Sequence, residues 1–126
     1  MEEHQNNEYT IYLNSRRRII LLHSQVWKSH FVNCKFIKAF NDLHAMEIAI
    51  QPITNESSEY YIIPDRYRQR TASININNIM RLFKLNNIDW PSGRYLAIWD
   101  DHQKWLTIKL TNYLGGDKGR DILQKT

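Results

Sequence analysis

Ile19-Ile20-Leu21-Leu22-His23 and, 54 residues further on, Ser73-Ile74-Asn75-Ile76-Asn77 decide how this chain reads. In each, alternate aliphatic residues (Ile20 and Leu22, Ile74 and Ile76) predict a half-buried strand, and a polar residue follows where a short helix begins. Outward from the first stretch, Tyr9 to Leu13 alternates Tyr9, Ile11 and Leu13 on one face, a strand. Asn14-Ser15 turns into Arg16-Arg17-Arg18. Ser24 is expected to cap a helix over Gln25 to Phe31 that carries Val26 and Trp27. Lys35 to Phe40 and Ala45 to Gln51 read as strands joined by the turn chemistry of Asn41-Asp42-Leu43-His44, and Pro52 is expected to end the second of them.

The same order returns around the second stretch. Tyr60 to Ile63 reads as a strand, Pro64 to Arg70 as a basic loop and Ala72 to Ile76 as a strand. Asn77 is expected to cap a helix over Asn78 to Leu85, with Ile79, Leu82 and Phe83 at helical spacing. After the loop 86–93, which holds Trp90-Pro91-Ser92-Gly93, come strands over Arg94 to Trp99 and Lys104 to Leu110. A shift of 54 places Ile20 on Ile74 and Leu22 on Ile76. A shift of 59 places Asn41-Asp42 on Asp100-Asp101, and one more residue places Ile48 on Ile108. Each half is too small to bury its own apolar face, so two such halves are expected to share one core. The expected class is α+β, mainly β. Residues 1–8 are expected to be a flexible N-terminus, 9–54 and 55–110 the two repeats of one domain, and 111–126 a flexible C-terminal tail.

Composition excludes several classes. At 126 residues with 42% apolar and 24% charged residues, the chain has the makings of one packed domain and not of a disordered one. No apolar run approaches the ~20 residues that span a bilayer, so no membrane partner is expected. The single cysteine, Cys34, excludes an internal disulfide and suits a reducing cytoplasm, the expected location. Catalytic constellations are not legible. There is no Walker loop or dinucleotide fingerprint, Ser92-Gly93 lacks the strand-to-helix context of a nucleophile elbow, and His23 and His30 have no cysteine or carboxylate to complete a metal site. A non-enzyme is therefore expected, with no cofactor and no metal.

Each half resembles the swapped-hairpin unit of the AbrB/MazE/MraZ-like (SpoVT-AbrB-like) proteins of bacteria, in which a strand leads through a basic turn to a strand, a short helix and a closing hairpin. Asn14-Ser15-Arg16-Arg17-Arg18-Ile19-Ile20-Leu21 resembles the first arm. Phe36 to Pro52 resembles the closing hairpin, and Arg70 to Leu110 looks like a diverged copy. Where that family carries Gly before the arginine and Pro at the helix start, this chain has Arg17 and Leu22 or His23. The resemblance implies two AbrB-like repeats in one chain and a DNA-binding role in transcription regulation.

Charge placement points the same way. The net charge is only +4, but the arginines cluster: Arg16, Arg17 and Arg18 together, and Arg66, Arg68 and Arg70 at alternate positions around Tyr67. Both clusters precede equivalent strands, and a twofold relation is expected to present them on one face. A guanidinium forks onto phosphate oxygens or onto guanine in the major groove. The expected site is therefore Arg16, Arg17, Arg18, Arg66, Tyr67, Arg68 and Arg70 gripping duplex DNA, with Lys28, Lys35, Arg81 and Lys84 extending the field. The alternative is a phage or mobile-element protein that binds and inhibits a host protein such as a CRISPR nuclease (anti-CRISPR-like), through nucleic acid or by joining copies of its target. The strand Tyr9 to Leu13 is expected to leave an edge through which a homodimer forms.

Overall fold

The structure, a computed structural model, describes residues 7–54, 57–65 and 70–116. Eight strands are present: β1 (Glu8–Asn14), β2 (Ile19–Leu22), β3 (Phe36–Asp42), β4 (Glu47–Ile53), β5 (Tyr60–Pro64), β6 (Ala72–Asn75), β7 (Gly93–Asp100) and β8 (Trp105–Gly115). Between β2 and β3 lies α1 (Ser24–Val26), which widens into a π-helical turn over Trp27–Phe31. Between β6 and β7 lies α2 (Asn77–Leu85). The mainly β character holds, and the strands close into an antiparallel barrel in the order β1-β2-β6-β5-β3-β4-β8-β7. Alternation along each strand turns aliphatic residues inward, as the pleat requires. Ile11, Leu13, Ile20, Ile37, Ile48, Ile50, Ile74, Leu106 and Ile108 are all at most 1% exposed, and Val26, Phe31, Ile79 and Phe83 from the helices join the same core.

The strand order is unchanged when β1 to β4 are exchanged for β5 to β8. Ile20 pairs directly with Ile74, and Ile48 with Ile108.

Three hairpin turns share one local chemistry. Asn14, Asp42 and Asp100 each accept at Oδ1 the N–H of the residue three positions on (Arg17, Ala45 and Gln103), each at 3.0 Å. The residue after that, Arg18, Met46 or Lys104, takes a left-handed backbone with φ of 59°, 59° and 61°. An Asx side chain mimics a turn in this way, and the left-handed residue matches the twist of the closing strands.

Asp42 thus matches Asp100, so the reading that set Asn41-Asp42 on Asp100-Asp101 is corrected by one residue. Several other expectations are corrected. Neither Ser24 nor Asn77 is a cap: both are the first helical residues, after His23 and Ile76, and the N–H of Asn77 goes to Asn75 Oδ1 at 3.0 Å. Pro52 lies inside β4, opposite Ile37. It is tolerated there because β4 pairs with β8 only over 47–50, so its missing N–H interrupts no ladder on that side. Residues 111–115 belong to β8 rather than to a flexible tail, with Tyr113 opposite Tyr95 and Gly115 opposite Arg94. The expected N-terminal segment gives way to β1 one residue early, at Glu8. The edge expected at Tyr9 to Leu13 is narrowed: β7 pairs with β1 over 8–13, and β2 covers its other side over 12–14 only.

A cationic cleft beside the second helix

The α2 sequence places two residue sets at helical spacing. Ile79 and Phe83 turn into the core. Asn77, Met80, Arg81 and Lys84 fall at i, i+3, i+4 and i+7, so they share the outward side. The helix ends in a Schellman-type closure. Ile88 N–H donates to Phe83 O at 3.0 Å, Asn87 N–H donates to Lys84 O at 2.9 Å, and Asn87 carries the left-handed φ of 61° that a C′ residue needs. That closure turns the chain back along the helix and delivers Asp89, Trp90 and Pro91 opposite its polar side.

Between these two walls and the β1–β2 turn opens a cleft of about 550 Å³, lined by Arg18, Arg81 and Lys84 among others. No ion pair is formed by these three cations among the described residues. Asp89 is the carboxylate on the lining.

The wall opposite the helix is held at several points. Ser92 Oγ accepts the N–H of Ser15 at 2.8 Å and lies 2.8 Å from its hydroxyl. Tyr95 OH donates to Pro91 O at 2.6 Å, and Tyr113 OH donates to Ser92 O at 3.1 Å. Burial raises the Tyr95 phenol well above its ordinary range, and nearby Tyr113 adds to the effect, so Tyr95 remains a donor to Pro91. Trp90, 6% exposed, lies edge-on to Phe83 with ring centroids 4.8 Å apart and acts as a lid on the core. Its Nε1 is buried with no hydrogen-bond partner. Gly93 takes φ 151°, and a Cβ there would run into the Tyr113 ring and the Gly115 carbonyl. Such close approach is the reason for glycine at this point of the wall.

The residues expected to form the site divide into three groups. Arg16, Arg17 and Arg18 are exposed on the β1–β2 turn, and Arg18 faces the cleft. Arg70 is exposed just before β6. Since Ile19 pairs with Asn75 and Leu22 with Ala72, Arg70 and the Arg16–Arg18 turn flank opposite ends of the β2–β6 ladder, and the expectation that both clusters share one face is corrected for Arg70. Arg66, Tyr67 and Arg68 lie outside the described residues. Arg81 and Lys84, first read only as an extension of the field, are the residues brought to Arg18. Their three-residue spacing was visible in the sequence, but their approach to the β1–β2 turn was not.

No group of three or more His, Cys, Asp or Glu suited to a metal ion occurs among the described residues. No helix among them is long and apolar enough to cross a membrane. Comparison with known proteins finds no matching family model, no matching curated protein and no matching solved structure.

Proposed function

We propose that this chain is a DNA-binding regulatory protein of AbrB-like architecture that grips duplex phosphates with Arg16, Arg17 and Arg18, assisted by Arg81 and Lys84. The observation that carries this reading is the cleft itself, where three cations from two elements line one concavity without forming an ion pair among the described residues. Exposed guanidinium groups left without carboxylates are available to phosphate oxygens. The architecture has separate support in a strand order indifferent to exchange of its halves, with Ile20 against Ile74 at the crossing.

A random-sequence duplex, titrated by fluorescence anisotropy at several salt concentrations, tests the function. Each phosphate contact contributes about −0.9 to the slope of log affinity against log salt. The triple substitution Arg16→Ala, Arg17→Ala, Arg18→Ala is therefore expected to flatten the slope by about 3. It should leave the melting temperature nearly unchanged, because exposed charges contribute little to stability. Wild-type affinity in the triple variant, or no duplex binding by the native chain, would overturn the reading. Retention of a host protein without nucleic acid would favour the inhibitor alternative, which draws on Tyr61 and Ile63, both about half exposed on the outer face of β5.

A further inference from the structure

The cleft has a charge and a shape that suit more than an internal phosphate of a duplex. Arg18, Arg81 and Lys84 with Asp89 give its lining a formal surplus of two positive charges. An internal phosphodiester carries a single negative charge, whereas a phosphomonoester carries about −1.5 to −2 at neutral pH. The concavity, about 550 Å³, is of a size that holds a small ligand, so it has room for the end of a strand as well as a border for its backbone. Trp90 belongs to the same wall, and its Nε1–H is buried with no acceptor. The wall that carries this donor is already fixed by the hydrogen bonds of Ser15, Tyr95 and Tyr113.

From these features we infer that the cleft is a pocket for a terminal phosphate. It takes the phosphomonoester at the end of a nucleic-acid strand, between Arg18 on one side and Arg81 and Lys84 on the other. Met80 and Ile88 on the same lining offer apolar surface to the terminal nucleoside. The inference rests on the nucleic-acid reading above and names the part of the nucleic acid that the cleft selects.

Short oligonucleotides with a 5′-phosphate, a 3′-phosphate or hydroxyls at both ends are titrated against the full chain by anisotropy, with inorganic phosphate as competitor. One phosphorylated end is expected to bind at least tenfold more tightly than the hydroxyl form. Arg81→Ala and Lys84→Ala, both exposed positions, are expected to reduce that preference without lowering the melting temperature. The Trp90 indole N–H resonance is expected to move with the phosphorylated oligonucleotide and to stay in place with the hydroxyl form. Equal binding of all forms would overturn the inference and leave the duplex reading standing. Absence of binding by every form would overturn both. Displacement by inorganic phosphate at the oligonucleotide's own concentration would show a free-phosphate site and overturn the strand-end assignment.

Discussion

The two helical connections occupy corresponding places in the strand order, yet one is sealed and the other is open. In the first, α1 and its π turn reach β3 through a brief link, 32–35. His30 stacks on Trp99 with centroids 3.8 Å apart and planes 12° from parallel, and the Tyr9 hydroxyl lies 2.9 Å from His30 Nε2. Phe31 meets the same Trp99 edge-on. In the second, α2 reaches β7 through a longer link, 86–92, that loops back and stands away from the helix. The added length puts a wall opposite the helix, and the space between them is the cleft. The difference between the two connections thus coincides with the concavity, while the strand order around it is the same in both halves.

The largest expected effect tests whether the two connections are equally part of the core. Phe31 and Phe83 are both fully buried, and replacing either by Ala is expected to cost roughly 3–5 kcal/mol, read from denaturant unfolding. Only Phe83→Ala removes the ring against which Trp90 rests, so only that variant should also weaken oligonucleotide binding under conditions where both remain folded. Equal loss of binding in Phe31→Ala would place the binding surface elsewhere.

A smaller effect belongs to the sealed side. Burial pushes the His30 imidazole below its ordinary value of 6.5, with Lys104 assisting and Asp101 opposing. The folded chain therefore resists a proton that the unfolded chain accepts. The contribution of His30 to stability is whole above pH 6.5 and declines as pH falls from there toward the lower folded-state value. Melting temperatures taken between pH 7.5 and 5 should decline less steeply in His30→Gln than in the native chain. Identical slopes would show that the His30 stack carries no proton linkage.

The smallest effect sharpens the open side. Arg18 holds a left-handed backbone, which costs a non-glycine residue about 1–2 kcal/mol, whereas glycine loses about 0.5–1 kcal/mol in chain entropy. Arg18→Gly is expected to stabilise the fold by roughly 0.5 kcal/mol from the difference of those two terms, while lowering affinity for DNA. Loss of stability instead would mean that the Arg18 side chain supports the turn by packing.

Much of this was legible in the sequence, because strands and turns are local. Alternation at Ile20, Leu22, Ile74 and Ile76 marked two strands, and Asn14, Asp42 and Asp100 marked turns whose chemistry lies within five residues. Barrel closure was not legible, because β1 against β7 and β4 against β8 join segments far apart in the chain, and period-two alternation does not say which neighbour a strand takes. The end of β8 was missed because residues 111–114 are exposed, so no burial pattern betrays them. Arg16 to Arg18 stood out as a run. The convergence of Arg18 with Arg81 and Lys84 depends on a Schellman closure and a glycine-tight wall that bring distant segments together, which local composition does not encode.

A ring of strands has no first or last rung. With β1 and β7 joined, the long row of main-chain donors and acceptors that lets open sheets recruit a peptide, or stack copy upon copy into fibrils, is reduced to short stretches such as 51–53 of β4. The side chains on its turns, helices and outer strand faces are therefore open to substitution without disturbing the scaffold.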